Sequence, residues 1–377
     1  MHLMMLTEAQ GKALLREACI AIPTGIEVSN SQALKGLELT FPVAIKAQVE
    51  SGGRGKAGGV RRCHNAAELE NAFFTIMGIE FGGAVPHSVL IEPWLNIKRE
   101  LYLAITVDSQ SGGFAAIYSP EGGVDVEGGA PPLKYAFGLP DQFRAYRFRE
   151  ILAGVEKDPK VRERVIATAR RLLQCVRTHE CITAEINPLV VLGDGSLIAG
   201  DAKIVLDDAA GFRNALTKDV LLKAREKEPP DVKKCADGNL MLIWLDGNIG
   251  LISGGAGMTM GAMDAIDAAG GRPACFLDVS GNPTPAGFGL AFDLLDGSPQ
   301  VGGILVSMFG GGLHTDRVAR TLIDILRARK SSKPVVIRLN GTRSEIASEV
   351  LTAAGYYNHA TIEDAVSVIV RDVRNAT

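Results

Sequence analysis

The chain has 377 residues, a formal net charge of −3, and 46% hydrophobic but only 6% aromatic residues. That length predicts two or more domains, and the weakly acidic balance argues against a general nucleic-acid binder, which carries a basic excess. No run approaches the ~18 apolar residues of a membrane span, and MHLMMLTEAQGK lacks the plan of a signal or transit peptide, so a cytoplasmic protein is expected.

The first part mixes element types. Residues 7–18 have a helical pattern, 41–49 and 60–63 read as strands, and 65–77 is a helix capped by Asn65. Strands are expected at 87–95, 100–108 and 114–120, then a Gly- and Pro-rich loop over 121–140 and a long amphipathic helix over 158–179. Residues 185–192 and 197–207, joined by GDGS, predict a hairpin. The run KAREKEPPDVKK (223–234), with two prolines among dense charge, predicts a linker, which divides the chain into domains at 1–228 and 236–377. Beyond it the chain alternates strand and helix with continuous apolar strands, the pattern of a parallel sheet covered on both faces. The fold class is therefore α/β: an α+β first domain followed by a flavodoxin-like, doubly wound parallel sheet.

Six scattered cysteines with no C-x-x-C pair predict reduced, packed thiols. The densest chemistry lies at 45–60, IKAQVESGGRGKAGGV, where a strand carrying Lys46 runs into Gly52, Gly53, Gly55, Gly58 and Gly59 with Arg54 and Lys56. Bare amides and cations together suit phosphate. Gly53-x-Gly55-x-x-Gly58 matches the dinucleotide fingerprint in form, but a strand follows it where a helix N-terminus is needed. A phosphate cover between two antiparallel strands fits better, with a flexible surface hairpin as the plain alternative.

Glu185 and Asn187 are two apart on a strand and share a face, and Asp201 on the return strand can oppose them. Oxygen donors without Cys or His suit Mg²⁺, although the polar face of a hairpin explains the same residues equally well. Glu92 and Glu100 bracket a connector that could meet a base and a ribose. Glycine turns at Gly254–Gly257 and Gly310–Gly312 open helices, which suits either an anion site or tight turn geometry. His314 beside the second turn is tempting as a nucleophile and reads more simply as an exposed turn residue.

KAQVESGGRGKAGGV, KRELYL, EGGVDVE, AEINPLVV, DGNIG, GAGMTMGAMD, FLDV, FGG and RLNGT occur in this order over nearly the whole chain. With them the chain resembles the β subunits of succinyl-CoA synthetase, the ADP-forming succinate–CoA ligases. The resemblance implies an ATP-grasp domain followed by a CoA-ligase domain, with Mg²⁺ as cofactor and ATP, CoA and a carboxylate as substrates. It also implies an α subunit carrying the phosphohistidine, in an αβ or α2β2 assembly, because no histidine here sits in a glycine-histidine-alanine-glycine motif. By resemblance Lys46, Gly53, Arg54, Gly55, Glu92, Leu95 and Glu100 contact ATP, Asn187 and Asp201 hold the metal, and Glu185 steadies the phosphohistidine. Pro23 favours ATP over GTP. Substrate contacts fall at Gly254, Gly311, Gly312 and Leu313, yet here the pattern departs: N-G-A-G is Gly254-Gly255-Ala256-Gly257, and G-G-I-V-R-C-D is Gly310-Gly311-Gly312-Leu313-His314-Thr315-Asp316. The same chemistry on malate or another acid is thus an alternative, as is a non-catalytic regulatory paralogue.

Overall fold

The computed structural model describes residues 4–51, 53–123 and 131–376; Gly52 and most of the EGGVDVE motif lie outside them. The chain divides into two compact units, Met1–Ala224 and Arg225–Thr377.

Unit 1 runs β1 (Met4–Met5), α1 (Glu8–Glu17), β2 (Ile26–Val28), α2 (Ser31–Leu34), β3 (Val43–Gln48), β4 (Val60–Cys63), α3 (Ala66–Met77) and β5 (Ser88–Pro93). It continues through β6 (Ile97–Asp108), β7 (Gly113–Ser119), β8 (Leu133–Gly138), α4 (Ala145–Leu152), α5 (Pro159–His179), β9 (Cys181–Leu192), β10 (Leu197–Ala199) and β11 (Lys203–Leu206). A small antiparallel sheet has the order β2-β5-β3-β4, and a larger one the order β1-β11-β9-β6-β7-β8 with β10 beside β9.

Local chemistry explains the boundaries. Thr7 and Gln10 form a capping box on α1, and Asn65 accepts from Glu68 N at the start of α3, a contact worth about 1 kcal/mol. In α5, Asp158 caps the first turn ahead of Pro159, and Glu180 ends the helix in the left-handed region. Leu69, Phe73 and Ile76 of α3 pack on Val43, Ile45 and Ile91 of the small sheet. Leu14 and Leu15 of α1 and Val165, Leu172 and Val176 of α5 join Leu101, Leu103, Ile105 and Ile186 of the large one.

Two expectations need correction here. The segment 121–140 is not all loop: Leu133–Gly138 forms β8, paired antiparallel with β7, because Tyr135 and Phe137 alternate inward onto Phe143 and Phe148. The return arm 197–207 is two short strands, both paired to β9 and broken at Gly200–Ala202, which leaves Asp201 outside the ladder.

The expected linker is also different, being helical on both sides of Pro229. Helix α6 covers Ala215–Lys227 and α7 covers Pro230–Asp237, where Pro230 occupies the first turn and gives up only an amide that would have been unpaired. Unit 2 continues with β12 (Met241–Trp244), β13 (Ile249–Ser253), α8 (Ala256–Ala268), β14 (Cys275–Asp278), α9 (Pro285–Gly297), β15 (Gly303–Gly310), α10 (Thr315–Ala328), β16 (Val335–Gly341), α11 (Ser344–Ala353) and α12 (Ile362–Ala376). Its sheet order is β12-β14-β13-β15-β16, parallel except for β12, which pairs antiparallel with β14. Apolar clusters cover both of its faces.

Candidate active site

A cavity of about 1220 Å³ opens in unit 1, lined from both of its sheets. Its wall contains Lys46, Gly53, Arg54, Gly55, Glu92, Leu95, Glu100, Glu185, Asn187 and Asp201, so the residues expected to serve ATP, the metal and the phosphohistidine lie on one surface. Pro23, Trp94 and Ile97 add an apolar stretch beside Leu95, with the Arg62 guanidinium 4.9 Å over the Trp94 ring.

β3 delivers Lys46 and the loop after it delivers Arg54. Strand β4 returns antiparallel with Lys46 opposite Val60, so the loop is a hairpin cover and not a strand-to-helix turn. Gly53 holds φ +80°, in the left-handed region where glycine pays no Cβ penalty. The ammonium of Lys46 does not point free into the cavity. It lies 2.7 Å from Glu8 Oε1, 2.8 Å from Glu92 Oε2, and donates to Gly200 O at 2.7 Å. Lys12 Nζ donates to both Glu92 oxygens at 2.6 and 2.7 Å and to Gly200 O at 2.8 Å, and lies 2.8 Å from Glu8 Oε1. Arg54 donates to both Asp201 oxygens at 2.9 and 3.0 Å and to Ala47 O at 3.0 Å, and its Nη1 is 3.3 Å from Glu8 Oε2.

The result is a balanced cluster, with Lys12, Lys46 and Arg54 against Glu8, Glu92 and Asp201. Balance matters because an unpaired charge in such a place costs about 3–5 kcal/mol. Burial works to raise Glu8, but Lys46, Lys12 and Arg54 outweigh it and hold the carboxyl down at about 2. Burial likewise opposes the charge on Lys46, and Glu8, Glu92 and Asp201 outweigh it, raising the ammonium above the usual lysine range. Asp201 is raised by burial and the like charge of Glu8, against the pull of Arg54 and Lys46. Both its oxygens nonetheless accept from Arg54, an arrangement that favours the ionised form.

On the other wall, β9 carries Glu185 and Asn187. Burial raises Glu185 despite Lys203 at 3.8 Å, and Tyr102, raised first by burial, hydrogen-bonds to it. Asn187 Oδ1 accepts from Gly123 N at 2.7 Å and its Nδ2 donates to Gly123 O at 3.2 Å. Burial also raises Glu100.

Sequence reasoning missed Glu8 and Lys12. The available signal was their place on α1: Glu8, Gly11, Lys12 and Leu15 fall at i, i+3, i+4 and i+7, one helical stripe, and all four are buried. Two charges on the apolar stripe require partners.

Gly254, Gly311, Gly312 and Leu313 belong to unit 2, at the carboxyl ends of the adjacent parallel strands β13 and β15. Gly255 N donates to Asp278 Oδ1 at 2.7 Å, and Thr342 Oγ1 donates to Gly311 O at 2.7 Å. A Cβ on Gly254 would meet Met308 Cε at 2.6 Å and Ser280 O at 2.9 Å. His314 occupies the N-cap position of α10, half-buried. Among the described residues no group of three or more His, Cys, Asp or Glu is placed to hold a metal, and no helix is long and apolar enough to cross a membrane.

The family model of the ATP-grasp domain matches residues 5–191, and that of the CoA-ligase domain matches residues 252–370. The chain is 36% identical to the succinate–CoA ligase [ADP-forming] subunit β of Chloroherpeton thalassium, across 93% of this chain and 94% of that one. It belongs to the succinate–CoA ligase β-subunit family. Within the family it is also 34% identical to the GDP-forming subunit β of Thermus thermophilus, across 99% of this chain and 100% of that one. In fold it is similar to ATP citrate lyase from Methanothrix soehngenii, solved with citrate and coenzyme A: TM-score 0.73 and 18% identity, covering 97% of this chain and 99% of that one. The ATP-grasp plus CoA-ligase architecture is thereby established, and the family is one of ligases.

Proposed function

We propose that this chain is the β subunit of an ATP- and Mg²⁺-dependent acid–CoA ligase. The reaction joins a carboxylate to CoA, converts ATP to ADP and phosphate, and passes the phosphoryl group through a histidine of an α subunit. The observation that carries this reading is the convergence, on one cavity of unit 1, of a strand lysine, a glycine-loop arginine and two hard oxygen donors. Lys46, Arg54 and the amides of Gly53 and Gly55 grip the polyphosphate, while Leu95, Trp94 and Ile97 receive the base, with Pro23 favouring adenine. Glu100 takes the ribose. Glu92 serves the nucleotide through its backbone, since both of its carboxylate oxygens are held by lysines.

The residues fit Mg²⁺. Asn187 offers an amide oxygen with a lone pair to spare and Asp201 a carboxylate, the sparse oxygen set this ion uses alongside phosphates. Arg54 already places positive charge on Asp201, which marks it as a cation-seeking position. Asn187 and Asp201 would hold the ion, which supplies charge neutralisation between phosphates. The chain's own work is positioning and charge balance. Among the described residues no histidine lines the cavity, which supports a phosphoryl acceptor on an α-type partner, where Glu185 steadies it. A cytoplasmic setting is consistent with these substrates.

Lys46→Ala in the complex with the cognate α subunit should abolish Mg²⁺-dependent ATP–ADP exchange; retained exchange would show that the loop is wrongly assigned. A second reading, the same chemistry on malate or another carboxylate, is favoured by Gly254, where Met308 and Ser280 leave no room for the amide side chain of the family pattern. A panel of acids scored by thioester formation decides it. Lys46, Asn187 and Asp201, all lining one cavity, argue against a non-catalytic paralogue.

A further inference from the structure

Lys46 cannot reach a phosphate without releasing a partner. An ammonium has three donor hydrogens, and those of Lys46 already face Glu8 Oε1, Glu92 Oε2 and Gly200 O. The two carboxylates are at most 2% exposed, so leaving either without a counter-charge is strongly unfavourable. Lys12 removes that obstacle. Its ammonium lies 2.8 Å from Glu8 Oε1 and 2.6 Å from Glu92 Oε1, touching the same two carboxylates from behind, and it is absent from the cavity wall. When Lys46 departs, both carboxylates keep a cation.

We propose that Lys12 is a positioning residue for phosphoryl transfer: it remains with Glu8 and Glu92 while Lys46 turns to the nucleotide, and so controls how readily Lys46 is released. The inference rests on the reading of Lys46 as a phosphate ligand. It also assigns the Glu92 side chain a role as a hold on Lys46, distinct from any nucleotide contact made by its backbone. Without Lys12, Glu8 keeps Arg54 at 3.3 Å but Glu92 has only the ammonium of Lys46, which stays pinned to it. Removing one carboxylate at the same time restores the balance and frees it.

The test measures Mg·ADP affinity calorimetrically on the full-length chain in Lys12→Met, Glu92→Gln, the double variant and Lys46→Ala. Lys12→Met should weaken binding by about tenfold, within the coupling found for residues of one network. Glu92→Gln should bind at least as tightly as the parent, and the double variant should regain most of the loss. A double variant no better than Lys12→Met, with affinity simply following the thermal midpoint, would mean a structural role only and overturns the proposal. If Lys12→Met does not fold, Glu92→Gln decides alone, and weaker binding than the parent overturns it. Unchanged affinity in Lys46→Ala would overturn the underlying phosphate reading together with this inference. A weakened Lys46→Ala beside an unchanged Lys12→Met would overturn this inference alone.

Discussion

Glu8 is a carboxyl that burial alone would neutralise, kept ionised because three cations converge on its two oxygens. Its folded value of about 2 lies below the ordinary 4.5. A group depressed on folding adds stability above its unfolded value and loses it as pH falls from there toward the folded one. Glu8→Gln should therefore cost on the order of 3 kcal/mol at neutral pH, and its deficit against the parent should shrink as pH drops below 4.5. Urea titrations at a series of pH values check this, and a deficit independent of pH would contradict the charge argument. Lys46 is raised by the same carboxylates once they outweigh its burial, so it stays cationic across the physiological range and acts by position.

Among the elements, β3 behaves unlike an ordinary buried strand. All six of its residues are buried, including Lys46 and Gln48, and Gln48 Oε1 accepts from Ala9 N, tying the strand to the first turn of α1. Helix, strand and the break at Gly200–Asp201 thus form one polar junction, and its charges cannot be altered singly without consequence. The β13–α8 turn of unit 2 is constrained differently, by volume. Gly254→Asn, which restores the family's residue, should destabilise the protein by about 1–3 kcal/mol through overpacking against Met308 and the Ser280 carbonyl. It should not improve thioester formation from succinate. Calorimetric melting and the acid panel together test this, and a neutral melt with improved succinate use would show that the turn adapts.

At the scale of the whole molecule, each unit has its own apolar core. A fragment of residues 1–228 should fold with a cooperative melt and retain Mg·ADP binding, since every lining residue of the cavity lies within it. The full chain without an α subunit should bind nucleotide but form no acyl-CoA thioester, measured by thioester absorbance with and without partner. Thioester formation by the chain alone would place the phosphoryl carrier within it.

Much of this was legible in the sequence, because its determinants are local. Apolar runs set between turn residues marked β3, β5, β6 and β9, the Asn65 cap marked α3, amphipathic spacing marked α5, and glycines among cations marked the phosphate loop. The irregular stretches were misread where a neighbour decides the outcome: β8 forms because β7 offers it an edge, and Pro229–Pro230 proved to be a joint between helices. The residues that line the cavity were named partly from type and spacing and partly, Leu95 among them, from the family resemblance, but their wiring was not legible. Lys12 meets Glu92 across 80 positions and Gly200 across 188. Sequence alone determined which side chains are available for chemistry and on which elements, since apolar runs, turn glycines and oxygen-bearing side chains are properties of short segments. Only the tertiary structure decided that Lys46 and Arg54 rest on Glu8, Glu92 and Asp201, because pairing buried charges depends on which distant segments are brought within 3 Å or so of one another.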